Sequence, residues 1–229
     1  MGPRRLVSSV LATVLVAVVA FAAGYLAHST PSTTSSTSST TPPSTADPTW
    51  VAMWPTAQRS LRYATPTAAA LGFAHEVLGM RSPVAESFQR GDARSGEVPI
   101  RSTPHGPVTT VLVRQLTGDR SWWVLGATCA AVDVAQPSAL ATVSSPFRLS
   151  GVSTSFEAVI NFALYQDNAI KPLVTGATKG GANGYMGPFA TPLYFEAPTH
   201  PFGVLVVSVH SAKDGSVLEA SATRVAFAH

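Results

Sequence analysis

From Leu6 to Ala27 the chain reads LVSSVLATVLVAVVAFAAGYLA without a charge, and Arg4 and Arg5 stand just ahead of it. A run of ~20 apolar residues at 1.5 Å rise matches the hydrocarbon thickness of a bilayer. Residues 6–27 are therefore predicted to be a transmembrane anchor, and the flanking arginines place residues 1–5 in the cytoplasm. Ala20-Phe21-Ala22 offers small residues at an A-x-A site, so cleavage as a signal peptide, giving a secreted product, stays open as the alternative. Residues 28–49 are dominated by Ser, Thr and Pro and carry no large apolar side chain. Such a segment has nothing to offset the entropy of ordering and reads as a flexible linker, with an O-glycosylated stalk as the second reading. Its random-coil reach is about 25 Å. With so short a cytoplasmic stub, a receptor that signals through its own cytoplasmic domain is not expected.

Beyond the linker the hydrophobic pattern changes twice. In residues 50–136, Thr65-Pro66 supplies a capping hydroxyl and a first-turn proline, and Ala70/Leu71, Ala74 and Val77/Leu78 recur at helical spacing. Gly79 and Pro83 end that helix. Strands are predicted at 96–102, 107–116 and 121–130, with Thr117-Gly118-Asp119-Arg120 as the hairpin between the last two. A helix followed by an antiparallel meander makes an α+β domain, with a cystatin-like arrangement as the topology expected. From Pro137 onward the helical period disappears. About seven strands are predicted in 137–229, among them 156–166, where Phe156, Ala158, Ile160, Phe162 and Leu164 share one face. Lys213-Asp214-Gly215-Ser216 is a hairpin turn. Short strands punctuated by Gly and Pro predict an all-β immunoglobulin-like sandwich, expected to unfold cooperatively by itself.

Composition narrows the function. Charged residues are 12% of the chain, against ~25% in ordinary globular proteins. Fifteen Lys+Arg against twelve Asp+Glu leave a formal charge of +3, two units of which belong to Arg4 and Arg5. No basic patch remains to neutralise phosphates, so nucleic acid is not an expected partner. The single Cys129 excludes an internal disulfide framework and a cysteine-based zinc cage, and in an apolar strand it reads as a buried free thiol.

Candidate chemistry is sparse. None of the six histidines falls in an HExxH pattern or at ligand spacing beside an acid. Gly151-Val152-Ser153-Thr154-Ser155 lacks the final Gly of a nucleophile elbow. Gly176–Gly184 is glycine-rich without the terminal G-K-[ST] of a phosphate loop, and reads as a mobile inter-strand loop. No catalytic residue, cofactor or metal site is therefore predicted. Trp122 and Trp123 are adjacent on a strand and are expected to point to opposite faces, one into the core and the other exposed or packed between domains. Trp50 and Trp54 form a second aromatic pair at the linker exit. The candidate binding surface comprises Lys179 and Tyr185, in the loop 176–187, together with Trp122 and Trp123.

The run SSPFRLSGVSTSFEAVINFALYQ, with Pro188-Phe189 and Ser211-Ala212-Lys213-Asp214-Gly215 after it, resembles the bacterial spore germination immunoglobulin-like domain. Ser145-Pro146, Gly151 and Phe156-Glu157 match that family's pattern in order and spacing. Leu149 and Ser153 replace the commoner Val and Ala, and Asp167-Asn168 stands where a turn glycine is usual. The resemblance covers roughly residues 140–229. It implies an extracytoplasmic, noncatalytic binding or adhesion module, and carries no germination role with it. The reading of the whole chain is thus a membrane-anchored envelope protein that binds a protein or glycan partner. Two alternatives remain: an enzyme acting on envelope polymers, with a site around Glu76, Asp92 and Glu97, and a small-ligand carrier with a cavity between helix and meander.

Overall fold

The computed structural model describes residues 47–56 and 59–228. The predicted anchor and most of the linker lie outside the described residues, among which no helix is long and apolar enough to cross a membrane. One helix, α1 (Pro66–Glu76), accompanies a largely antiparallel β-structure. Its start is the expected one: Thr65 is extended and its hydroxyl accepts the Ala68 N–H at 3.2 Å, with Pro66 in the first turn. Gly79, at φ 75°, turns the chain after the helix, a conformation with little cost for glycine alone. The buried face is Ala69, Ala70, Phe73 and Ala74, so Phe73 rather than Leu71 is its large core residue.

The strands before Pro137 are β1 (Val84–Ala85), β2 (Gln89–Arg90), β3 (Ser95–Arg101), β4 (Val108–Gln115), β5 (Trp122–Cys129) and β6 (Val132–Gln136). Those after it are β7 (Thr142–Val143), β8 (Phe147–Ser155), β9 (Val159–Gln166), β10 (Val174–Lys179), β11 (Gly181–Ala182), β12 (Gly187–Leu193), β13 (Phe202–His210) and β14 (Val217–Phe227). The main sheet runs β1-β3-β4-β5-β14-β13-β9-β10. Strand β8 pairs with β6, β11 and β12 to form the layer opposite β14-β13-β9, which is consistent with an immunoglobulin-like sandwich. Gly151 in β8 fits this layer because a Cβ there would stand 2.0 Å from the Asp133 carbonyl oxygen and 2.8 Å from the Phe189 ring.

Two apolar cores lie on either side of β13 and β14. Phe73 of α1 and Leu78 just after it pack onto Val98, Ile100, Val111, Val113 and Trp122, and this core extends to Val204, Val206, Ala220 and Ala222. Leu205, Val207, Val209, Val225 and Phe227 face the other way, against Leu149, Ile160, Phe162, Leu164 and Phe189. Alternate residues of the same two strands thus enter different cores, as the period of two requires. The expected boundary at residues 136 and 137 falls between β6 and β7, and the helix-side core draws on residues from both sides of it. One correction concerns β9. It begins at Val159, and Phe156, expected on its buried face, is 75% exposed in the preceding turn.

Candidate functional site

The connection from β8 to β9 and the segment from β10 to β12 are knitted together at one end of the sandwich. β11 pairs in parallel with Thr154 and Ser155. The Asn183 N–H donates to the Ser155 carbonyl at 3.0 Å, and the Gly180 N–H donates to the Ala158 carbonyl at 2.9 Å. The Gly184 N–H donates to the Thr154 hydroxyl at 3.0 Å, and Tyr185 N–H closes a turn onto the Ala182 carbonyl at 2.9 Å. Ala158 holds a positive φ of 58°, which alanine adopts only when its surroundings fix it, and Asn183 turns at φ 52°, a conformation asparagine accepts readily. The segment expected to be a mobile loop from Gly176 to Gly184 is therefore in part strand: 174–179 form β10 and 181–182 form β11.

This braced end presents apolar side chains to solvent. Phe156 is 75% exposed, Tyr185 81% and Met186 45%, and Lys179 is exposed at the end of β10. The two predicted residues Lys179 and Tyr185 thus share one end with two that the sequence reading missed. Phe156 was hidden by parity, since it falls in phase with Ile160 and Phe162; the turn at Ala158 interrupts the strand without any glycine or proline to mark it. Phe156 and Glu157 also border a recess with His210, Ser211 and Ala212, which places the β13–β14 hairpin at the same end. There Asp214 accepts from the Ser216 backbone and hydroxyl, bonds that lower its pKa to about 2.

Trp122 and Trp123 are not part of a surface. Trp122 is 7% exposed and Trp123 is fully buried. They do point to opposite sides, as strand geometry demands, but both sides are covered. Trp122 enters the helix-side core edge-on to Phe88, at 5.3 Å between ring centroids. The Arg62 guanidinium lies 4.8 Å over the Trp123 ring. Of the other pair, Trp54 is buried with its indole N–H donating to the Tyr63 hydroxyl at 3.1 Å, while Trp50 stacks on Phe202 at 5.4 Å.

Of the three carboxylates suggested for an enzyme, Glu76 and Asp92 are engaged locally. Glu76 sits 3.1 Å from the His75 imidazole, Asp92 accepts the Arg94 N–H at 2.6 Å within its own turn, and Glu97 lies on β3 opposite Leu112. The interface between helix and meander, proposed for a carrier cavity, is filled by Phe73, Val98, Ile100 and Val111, all fully buried. A trough of about 540 Å³ lies instead beside the helix end, over β9, β10 and β13. In it the Ser208 hydroxyl and His210 Nε2 are 2.9 Å apart, and burial lowers the His210 pKa. These residues are two apart on a strand and so share a face. The Cys129 thiol is 3.6 Å from the Ser221 hydroxyl and burial raises its pKa to about 11, leaving it protonated and unreactive. Among the described residues no group of three His, Cys, Asp or Glu is placed to hold a metal.

No curated protein and no solved structure matches the chain. A family match does exist, and it begins just before β6 and ends just before β14, so it takes in strands of both layers without β14, together with the braced end. Residues 131–216 match the immunoglobulin-like domain of bacterial spore germination.

Proposed function

We propose that the chain is a noncatalytic binding module of the bacterial cell envelope, held on the outer side of a membrane by residues 6–27 and recognising a protein or glycan partner. The reading keeps an α+β region over 50–136, in the cystatin-like arrangement expected, and a sandwich over 137–229 to which β6 of the first region adds a strand. The observation that carries it is the braced loop end, where Phe156, Tyr185 and Met186 are exposed on a scaffold fixed by backbone hydrogen bonds. Function on folds of this kind resides in loops set on a rigid scaffold. Tyr brings a large contact area at low entropy cost, and a fixed loop spends little on ordering when it binds.

Replacement of Tyr185 and Lys179 by Ala tests the reading. Partner capture by the double variant should fall about tenfold or more with the melting temperature nearly unchanged, because both side chains are exposed. Equal capture by parent and variant moves the site elsewhere. The Ser208–His210 contact favours one second reading, hydrolysis in the trough. A serine nucleophile with its base also needs an orienting group and oxyanion donors. Turnover of purified envelope polymers that stops on Ser208→Ala would establish that second reading.

A further inference from the structure

Three recesses join into one groove along the outward face of β9. The trough of about 540 Å³ shares Glu76, Val77 and Tyr165 with a recess toward Asn168, and shares Asn161 and His210 with the recess beside Phe156. Strand alternation sets its course. Ile160, Phe162 and Leu164 enter the sandwich core, so Asn161, Ala163 and Tyr165 line the opposite face. Strand register adds the flanks: Asn161 lies between Ser208 and Ala177, and Ala163 between Val206 and Thr175. Residues 76–79, at and just after the end of α1, complete the lining. β9 alone gives the groove a length of about 23 Å.

The chemistry of the lining narrows the occupant. The side chains of Asn161, Tyr165 and Thr175 enter no hydrogen bond among the described residues, and each can both donate and accept. No Lys or Arg lines the trough, whose one carboxylate, Glu76, sits beside His75. Of the charged side chains farther along, Asp167 is held by Arg224, and Arg59 and Glu157 stand at opposite ends. A phosphate- or sulfate-bearing chain would meet no counter-charge in the trough. A peptide added as a strand needs free backbone groups, and β9 is paired on both sides, with β13 and with β10. The floor along β9 thus offers side chains alone. Neutral groups that donate and accept, set along an elongated groove with the rings of Tyr165 and Phe156 in its course, match the hydroxyls and apolar C–H faces of a sugar chain. Resting on the noncatalytic reading above but not on the loop-end surface, we infer that this groove binds an uncharged linear glycan laid along β9.

Calorimetric titration of the full chain, in a zwitterionic detergent, with cello-, malto- and chito-oligosaccharides tests this. At least one series should bind, with affinity rising at least about tenfold from monomer to pentamer as the sugar fills the groove. Asn161 is half-buried and Thr175 exposed, so their joint replacement by Ala should leave the melting temperature nearly unchanged. It should weaken binding at least about tenfold, as the loss of two hydrogen bonds implies. Tyr185→Ala, at the loop end, should leave sugar binding as it is, which keeps the two surfaces experimentally separate. No binding of any pentamer at millimolar concentration, affinity independent of length, or equal affinity in the Asn161/Thr175 variant overturns the inference and leaves the loop-end reading standing. Preference for polygalacturonate, a charged chain, overturns the uncharged class. Cleavage of a bound pentamer overturns the noncatalytic reading and the inference with it, and favours hydrolysis at Ser208.

Discussion

Arg224 holds Asp167 with two guanidinium nitrogens at once, Nη1 to Oδ1 at 2.5 Å and Nη2 to Oδ2 at 2.8 Å. The Arg224 side chain is 3% exposed and that of Asp167 11%, and Nη2 and Nε of Arg224 also donate to the Trp50 carbonyl at 2.9 and 3.2 Å. The Phe202 ring lies 5.1 Å from the guanidinium carbon. One arginine on β14 thus ties the entering chain to the turn after β9.

Asp167→Asn leaves that guanidinium buried without its counter-charge. Breaking a buried pair from one side costs about 3–5 kcal/mol, since the stranded charge keeps its desolvation penalty. For a chain of this size that corresponds to a fall in melting temperature of roughly 6–20 °C. The double replacement Asp167→Leu with Arg224→Met should recover much of the loss, because apolar side chains of similar volume carry no such penalty. Thermal denaturation of the three proteins by circular dichroism checks this, and a single variant as stable as the parent would show the pair to be solvated.

Glu219 supplies a pH signature. It is buried on β14, Oε2 has no hydrogen-bond partner, and burial raises its pKa above the usual 4.5. Below the unfolded pKa both states are protonated and the folded state carries no penalty. As pH rises, the unfolded chain releases this proton first, so the folded state loses stability from about the ordinary carboxylate pKa up to the raised folded value. Above that value the loss is complete and constant. Denaturant melts between pH 4 and 8 should show this fall, and Glu219→Gln should flatten it. Burial of His210 adds a rise of its own up to the ordinary histidine pKa, so the diagnostic quantity is the difference between parent and Glu219→Gln, and a difference that rises with pH would mean that hydrogen bonds to the carboxylate outweigh its burial.

Local chemistry was legible in the sequence and long-range geometry was not. The start of α1 could be read because Thr65 and Pro66 act within one turn, and the hairpin at Thr117–Arg120 because its residues are contiguous. Ile160, Phe162 and Leu164 were read correctly as one buried face for the same reason: a strand repeats every two residues. That rule failed at Phe156, where Ala158 takes a left-handed turn that its residue type does not announce. It failed differently at Trp122 and Trp123, since alternation fixes which way each ring points but not what covers it. The cover on Trp123 is Arg62, from a segment some sixty residues earlier. At the candidate site, Lys179 and Tyr185 were nominated through glycine content, Met186 is Tyr185's neighbour in the chain, and Phe156 joins them only through the pairing of β11 with β8.

The way β13 and β14 serve two cores leads to a test of how the chain divides. A fragment of residues 137–229 lacks β6, which pairs with β8 from Val132↔Ser153 to Gln136↔Ser150, and β5, which meets β14 at Ala222↔Ala127. It also bares Val204, Val206, Ala220 and Ala222, buried in the full protein against the helix-side core. Exposing a contiguous apolar face of this kind removes burial worth roughly 25 cal/mol per Å² and leaves an unpaired strand edge prone to association. Net stabilities of domains are only about 5–15 kcal/mol, so the loss is a large share of the whole. The fragment is accordingly expected to be collapsed or associating, with poorly dispersed amide signals by NMR. Residues 47–229 should instead unfold in one cooperative transition. A fragment beginning at 131 restores β6 but not the helix-side core, so it separates the two causes. Dispersed signals and a sharp melt for 137–229 would mean that the sandwich stands alone and that α1 with its meander is an appendage to it.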